Sequence, residues 1–94
     1  MKAEPDMRVV NKWVTERRMK RVIQIAEDTL KIPVKGVFIS PVLVASDAPI
    51  IADILVSLVK DETKGSRIET QATLDAMREA AKEWFKIWLE RSAK

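Results

Sequence analysis

The sequence predicts a mainly α domain of the α+β kind, with about three helices and one short β segment over residues 36–45. Three observations carry that reading. Apolar residues recur at helical steps before Pro33, a β-branched run follows Gly36, and helical steps return between Leu74 and Trp88. A length of 94 residues suits a single small domain, 1–94, in which residues 1–14 form an N-terminal arm.

The first element runs from about Met7 to Ile32. Met19, Val22, Ile23, Ala26 and Leu30 are three or four residues apart or adjacent, which defines one helical face. Pro33 stops this helix, because the residue before a proline is pushed out of the α region. Val10, Trp13 and Val14 lie on the opposite side of a continuous helix. Either the chain breaks near Thr15, a good N-cap with Glu16 behind it, or the early stripe packs elsewhere. The arm then folds over its own domain or docks on a second chain.

The run GVFISPVLVA, from Gly36 to Ala45, reads as a strand. Pro41 lacks a ladder donor, so this strand is expected at an edge or with a bulge. From Pro49 to Lys60 a helix is favoured: Ser46 or Asp47 can cap it, and Pro49 fits its first turn. Ile50, Ile51, Ile54, Leu55, Leu58 and Val59 share a helical face. The alternating apolar residues leave a β-hairpin turning at Ser46–Pro49 as the rival. After the polar loop DETKGSR, residues 69–92 form the last helix. Leu74, Met77, Ala81, Trp84 and Trp88 form its expected seam, flanked by Phe85 and Ile87. Asp75 with Arg78, Glu79 with Lys82, and Glu83 with Lys86 are spaced for ion pairs.

A single strand cannot satisfy its own backbone groups. Its edge is expected to close across a homodimer, with another strand from this chain as the alternative. The residues assigned to self-association are Val37, Ile39, Val42, Val44, Trp84 and Trp88. From Gly36 to Ser92 the expected strand and two helices resemble ribbon–helix–helix DNA-binding proteins in topology, which would imply dimerisation through the strand. The outward strand residues here are apolar, where base reading needs polar or basic side chains. The likeness therefore stops at topology and does not make the chain a member.

Composition closes several chemistries. The chain has no cysteine, histidine or tyrosine, so thiolate metal sites, a Ser-His-Asp arrangement and a tyrosine proton donor are absent. Two glycines, Gly36 and Gly65, cannot build a phosphate-cradling loop. The carboxylate pairs Glu27–Asp28 and Asp61–Glu62 point about 100° apart on a helix and do not converge as an acid–base couple. No cofactor, metal or catalytic residue is expected. The apolar stretch from Val34 to Val59 is interrupted too often to span a membrane, and no secretory signal opens the sequence. A soluble, intracellular protein is the expectation.

The net charge of +3 is an N-terminal property: residues 1–36 carry nine Lys or Arg and five Asp or Glu. Arg8, Lys12, Arg17, Arg18, Lys20 and Arg21 form a basic cluster, and Trp13 among them could stack on an unpaired base. On a helix these charges spread around most of the circumference, as on an ordinary solvated surface; the alternatives are nucleic acid, an acidic protein or a membrane surface. The expected function is a non-enzymatic, self-associating protein-interaction module with a basic N-terminal segment. The alternative is a small nucleic-acid-binding protein that uses the basic N-terminal helix.

Overall fold

The structure is a computed structural model that describes residues 4–63 and 70–92. The described residues form four α-helices and one two-stranded antiparallel sheet. In chain order these are α1 (Met7–Trp13), α2 (Glu16–Thr29), β1 (Ile32–Val34), β2 (Val37–Ile39), α3 (Ala48–Glu62) and α4 (Gln71–Ser92). The fold is thus mainly helical with a short β segment. Most of the expected polar loop, residues 64–67, and the expected helix start at Glu69 lie outside the described residues.

The break between the two N-terminal stripes falls at Thr15. Its side chain accepts a hydrogen bond from the Arg18 amide, and Glu16 sits in the first turn of α2. This satisfies one orphan donor and turns the chain, so the two stripes need not share a face. Helix α1 packs on α4 and buries Val10 and Trp13 there. The arm therefore folds over its own domain. Its start is tied down by the Asp6 amide, which donates to Thr73 Oγ1 at 3.0 Å. Thr73 is the one buried polar residue among the described residues, and it also accepts from the Thr70 hydroxyl at 3.0 Å. Burial of this hydroxyl is tolerated because it is bonded.

Helix α2 buries Met19, Val22, Ile23 and Ala26, the face read from the sequence, mainly against α3. Residues 48–62 are helical and not the arm of a hairpin at Ser46–Pro49. Pro49 lies within the first turn of α3, where its missing N–H is harmless. The Asp47 carboxylate does not cap α3 but accepts from the Val44 amide at 2.9 Å, closing a 3₁₀ turn at Ala45–Asp47.

Helix α4 corrects the expected seam. Thr73, Leu74, Met77, Ala81 and Phe85 are buried, whereas Trp84 and Trp88 are half-buried at the margin of the core. A straight α-helix has 3.6 residues per turn, so an apolar stripe drifts off a strict seven-residue repeat. The drift brings Phe85, fully buried at 0 % exposure, into the position that the repeat assigns to Trp84. Trp88 then stacks on the outside of Phe85 with ring centroids 6.0 Å apart. Of the spaced ion pairs only Glu79–Lys82 forms, at 3.2 Å. Arg78 crosses to Asp53 on α3, and Asp75 accepts from Gln71 at 2.8 Å.

The strand is shorter than residues 36–45 and has a partner in its own chain. β1 and β2 pair antiparallel, with Ile32 opposite Ile39, Pro33 opposite Phe38 and Val34 opposite Val37. The turn residues Lys35 and Gly36 both have positive φ, 50° and 81°. This backbone matches the twist of a two-residue hairpin, and glycine adopts it without strain. Every residue from Lys31 to Ser40 is exposed. The hairpin projects from the helical body, consistent with extents of 54 × 33 × 23 Å. The radius of gyration is 14.8 Å, against about 12 Å for a compact chain of this length. Buried Leu43 anchors the returning chain.

If the α4 stripe runs through Phe85, Phe85→Ala destabilises the fold by about 3–5 kcal/mol and half-buried Trp88→Ala by clearly less. Urea unfolding measures both, and equal losses or a larger one for Trp88 would contradict the assignment.

Candidate functional site

The largest unpartnered feature is the hairpin and the strip that follows it. Ile32, Val34, Val37 and Ile39 occupy one hairpin face, because opposed residues in register share a side and side chains alternate along each strand. Pro33 and Phe38 occupy the other. All five large apolar side chains of the two strands are exposed, Phe38 to 69 %. Val42 at 88 % and Val44 at 51 % continue the exposed series. Of the residues assigned to self-association, the structure places Val37 and Ile39 on the projecting hairpin, and Val42 and Val44 exposed on either side of buried Leu43 where the chain rejoins the body. Trp84 and Trp88 are elsewhere, half-buried against their own core. Trp88 approaches Val42 at the hairpin base. There Pro41, Val42 and Leu43 line a shallow cleft of about 390 Å³ with Trp88 and Leu89.

Sequence reading missed Phe38, Ile32 and Val34. Alternation assigns one face of a strand to an interface, and Val37 and Ile39 took that place. The signal was available in VFI itself: three consecutive large apolar residues on a strand leave apolar side chains on both faces.

The edges of this sheet are unequal. The pair that flanks a two-residue turn bonds through both its backbone groups, and successive pairs alternate. Val34–Val37 and Ile32–Ile39 therefore face inward, while the backbone groups of Pro33 and Phe38 point outward. Pro33 has no N–H, which blunts the outer edge of β1. Phe38 presents both an N–H and a C=O on the outer edge of β2.

The structure does not gather the basic residues into one patch. Arg17, Arg18 and Arg21 line an open cleft of about 270 Å³ with Thr15 and Glu62. Arg18 is engaged by the Glu62 carboxylate from α3. Lys20 pairs with Glu16 at 3.5 Å, beside a different cleft lined by Trp84, Ile87, Trp88 and Arg91. Arg8 lies 3.8 Å from Asp6. Trp13 is buried, with the Arg18 guanidinium 4.5 Å and the Lys12 ammonium 5.5 Å from its ring centre. Stacking on a nucleic-acid base requires that ring to be uncovered. In this structure it serves instead as a cation–π platform that holds Arg18 toward Glu62.

Among the described residues no group of three His, Cys, Asp or Glu could hold a metal ion. No described helix is long and apolar enough to cross a membrane. No family model, no curated protein and no solved structure matches this chain.

Lys12, Arg17 and Arg21 are the cluster members without a carboxylate partner among the described residues. Any binding to random-sequence duplex would be limited to those three, with a log–log salt slope no steeper than about −3, at roughly 0.9 per phosphate contact. Titration at several salt concentrations measures the slope, and one near twice that value would show all six cations acting together.

Proposed function

We propose that this chain is a non-catalytic protein-interaction module that self-associates through its projecting β1–β2 hairpin. One observation carries the reading. Ile32, Val34, Val37, Phe38 and Ile39 are all exposed on a single hairpin, while the helical body closes a core of its own.

An isolated two-stranded hairpin is at best marginally stable in water. Exposed apolar area of this density on a small domain marks an interaction surface. Burying a side chain such as Val, Ile or Phe contributes about 1.5–3 kcal/mol, so covering a few of these residues outweighs the ordering of two short strands. The partner best matched to the surface is itself apolar and nearly uncharged. From Ile32 to Ser46 the only charged residue is Lys35, which argues against a strongly charged ligand at this site.

The basic N-terminal segment suits a further, acidic contact. Arg17 and Arg21 lie one helical turn apart on α2 and line the same cleft, which favours a carboxylate- or phosphate-bearing partner there. This contact is separate from the hairpin and does not depend on it.

Sedimentation at micromolar concentration tests the main reading. A species of twice 10.7 kDa is expected, and Phe38→Asp returns it to the monomer with its helical circular dichroism unchanged. A monomer alone, or a dimer indifferent to Phe38→Asp, overturns the assignment.

A further inference from the structure

We infer that two copies pair through the outer edges of their β2 strands, antiparallel about a two-fold axis at Phe38, and that this edge pairing joins two copies only. This inference rests on the self-association proposed above and specifies which backbone groups make it.

The open edge is the starting point. Pro33 occupies the outward-facing position of β1 opposite Phe38, so the outer edge of β1 lacks a central donor. The outer edge of β2 offers the N–H and C=O of Phe38. One usable edge per hairpin gives a closed pair, whereas two usable edges would permit an extended stack.

The register follows from overlap. β2 spans Val37 to Ile39 and is centred on Phe38. Only an axis at Phe38 pairs the whole of one β2 with the whole of the other. Phe38 then lies opposite its own copy, and Val37 lies opposite Ile39 of the second copy. The outward groups of each strand meet outward groups of the other, as an antiparallel ladder requires. On one face of the resulting sheet, Ile32, Val34, Val37 and Ile39 of both copies form a continuous β-branched surface. On the other, the two Phe38 rings lie side by side between the two Pro33 rings.

Charge also admits a second copy. Lys35 is the single charge of the hairpin, and in this register it falls opposite position 41. The two Lys35 side chains are therefore six residues apart along the strands, about 20 Å, and their repulsion is screened. A three-residue edge covers less than the roughly 800 Å² per partner of a standard interface. The dimer is accordingly reversible at micromolar concentration.

Because the chain contains no cysteine, single cysteines report the register without interference. Tagged Val37→Cys and untagged Ile39→Cys are mixed under reducing conditions to exchange subunits, then mildly oxidised. Val37 and Ile39 of the second copy form a non-hydrogen-bonded pair with Cα atoms about 4.5 Å apart, within disulfide range. Like residues sit on the diagonal at about 7–8 Å, beyond easy bridging. The mixed disulfide is expected to form at least about tenfold faster than either like pair, given that difference in reach. Sedimentation of the same reduced samples separates the two claims. A dimer in which Val37→Cys or Ile39→Cys bridges its own kind as fast, or in which no pair bridges, overturns the register and leaves self-association standing. A monomer overturns both.

Discussion

Helix α4 carries Thr73, Leu74, Met77, Ala81 and Phe85 in one stripe, and the rest of the helical body is laid against it. α3 packs along it and buries Ile51, Leu55, Val56 and Val59 between α4 and α2, and α1 covers it with Val10 and Trp13. α2 then seals the outer side of α3 through Met19, Val22 and Ile23. The polar contacts follow the same plan. Thr73 holds the start of the N-terminal arm, Asp53 and Arg78 join α3 to α4, and Glu62 holds Arg18 beside Trp13. Exposed ion pairs of this kind add little stability, and their effect is to fix which helix faces meet. Apolar burial along α4 does most to hold the body together.

Because the helices close this core among themselves, the hairpin is left outside it. The β1–β2 side chains have no helix to cover them, although their composition is that of a buried strand. Two physical regimes therefore coexist in one short chain. The body is held by dense side-chain packing, and Leu43 joins the hairpin to it. The hairpin is held by one turn and a few ladder bonds, and it gains stability from whatever covers it. In the proposed reading a second copy supplies that cover, so order in the hairpin and assembly are linked. The basic cleft on α2 belongs to the body and is present in either state.

Much of the helical body is legible in the sequence because periodicity reports burial directly. The face of α2 and the break at Thr15 both emerge from residue spacing and capping chemistry. The α4 stripe is legible as far as Ala81. Beyond it, a seven-residue repeat points to Trp84 and Trp88, whereas a straight helix turns Phe85 inward. The hairpin is half legible. Pro33 reads locally as a helix stop, and its second role as an outward-facing edge residue exists only once the register with Phe38 is known. Lys35–Gly36 carries a weaker turn signal than Asn-Gly, so β1 stays hidden and β2 is left without a visible partner in the chain. The basic cluster is legible as composition but not as a surface. Its partners Glu62 and Asp6 become neighbours through tertiary packing or local capping, and the burial of Trp13 depends on α4.

In the proposed assembly the outer edge of β2 is bare in one copy and covered by a second. The Phe38 amide reports this state, since it points away from β1 while the amides of Val37 and Ile39 point toward it. Residue-resolved hydrogen exchange, followed from low to high micromolar protein, is the decisive measurement. Phe38 exchange is expected to slow as concentration rises, while amides at Met77 and Phe85 are equally protected throughout. Fast Phe38 exchange at every concentration would contradict the paired edge, as would protection that persists unchanged on dilution.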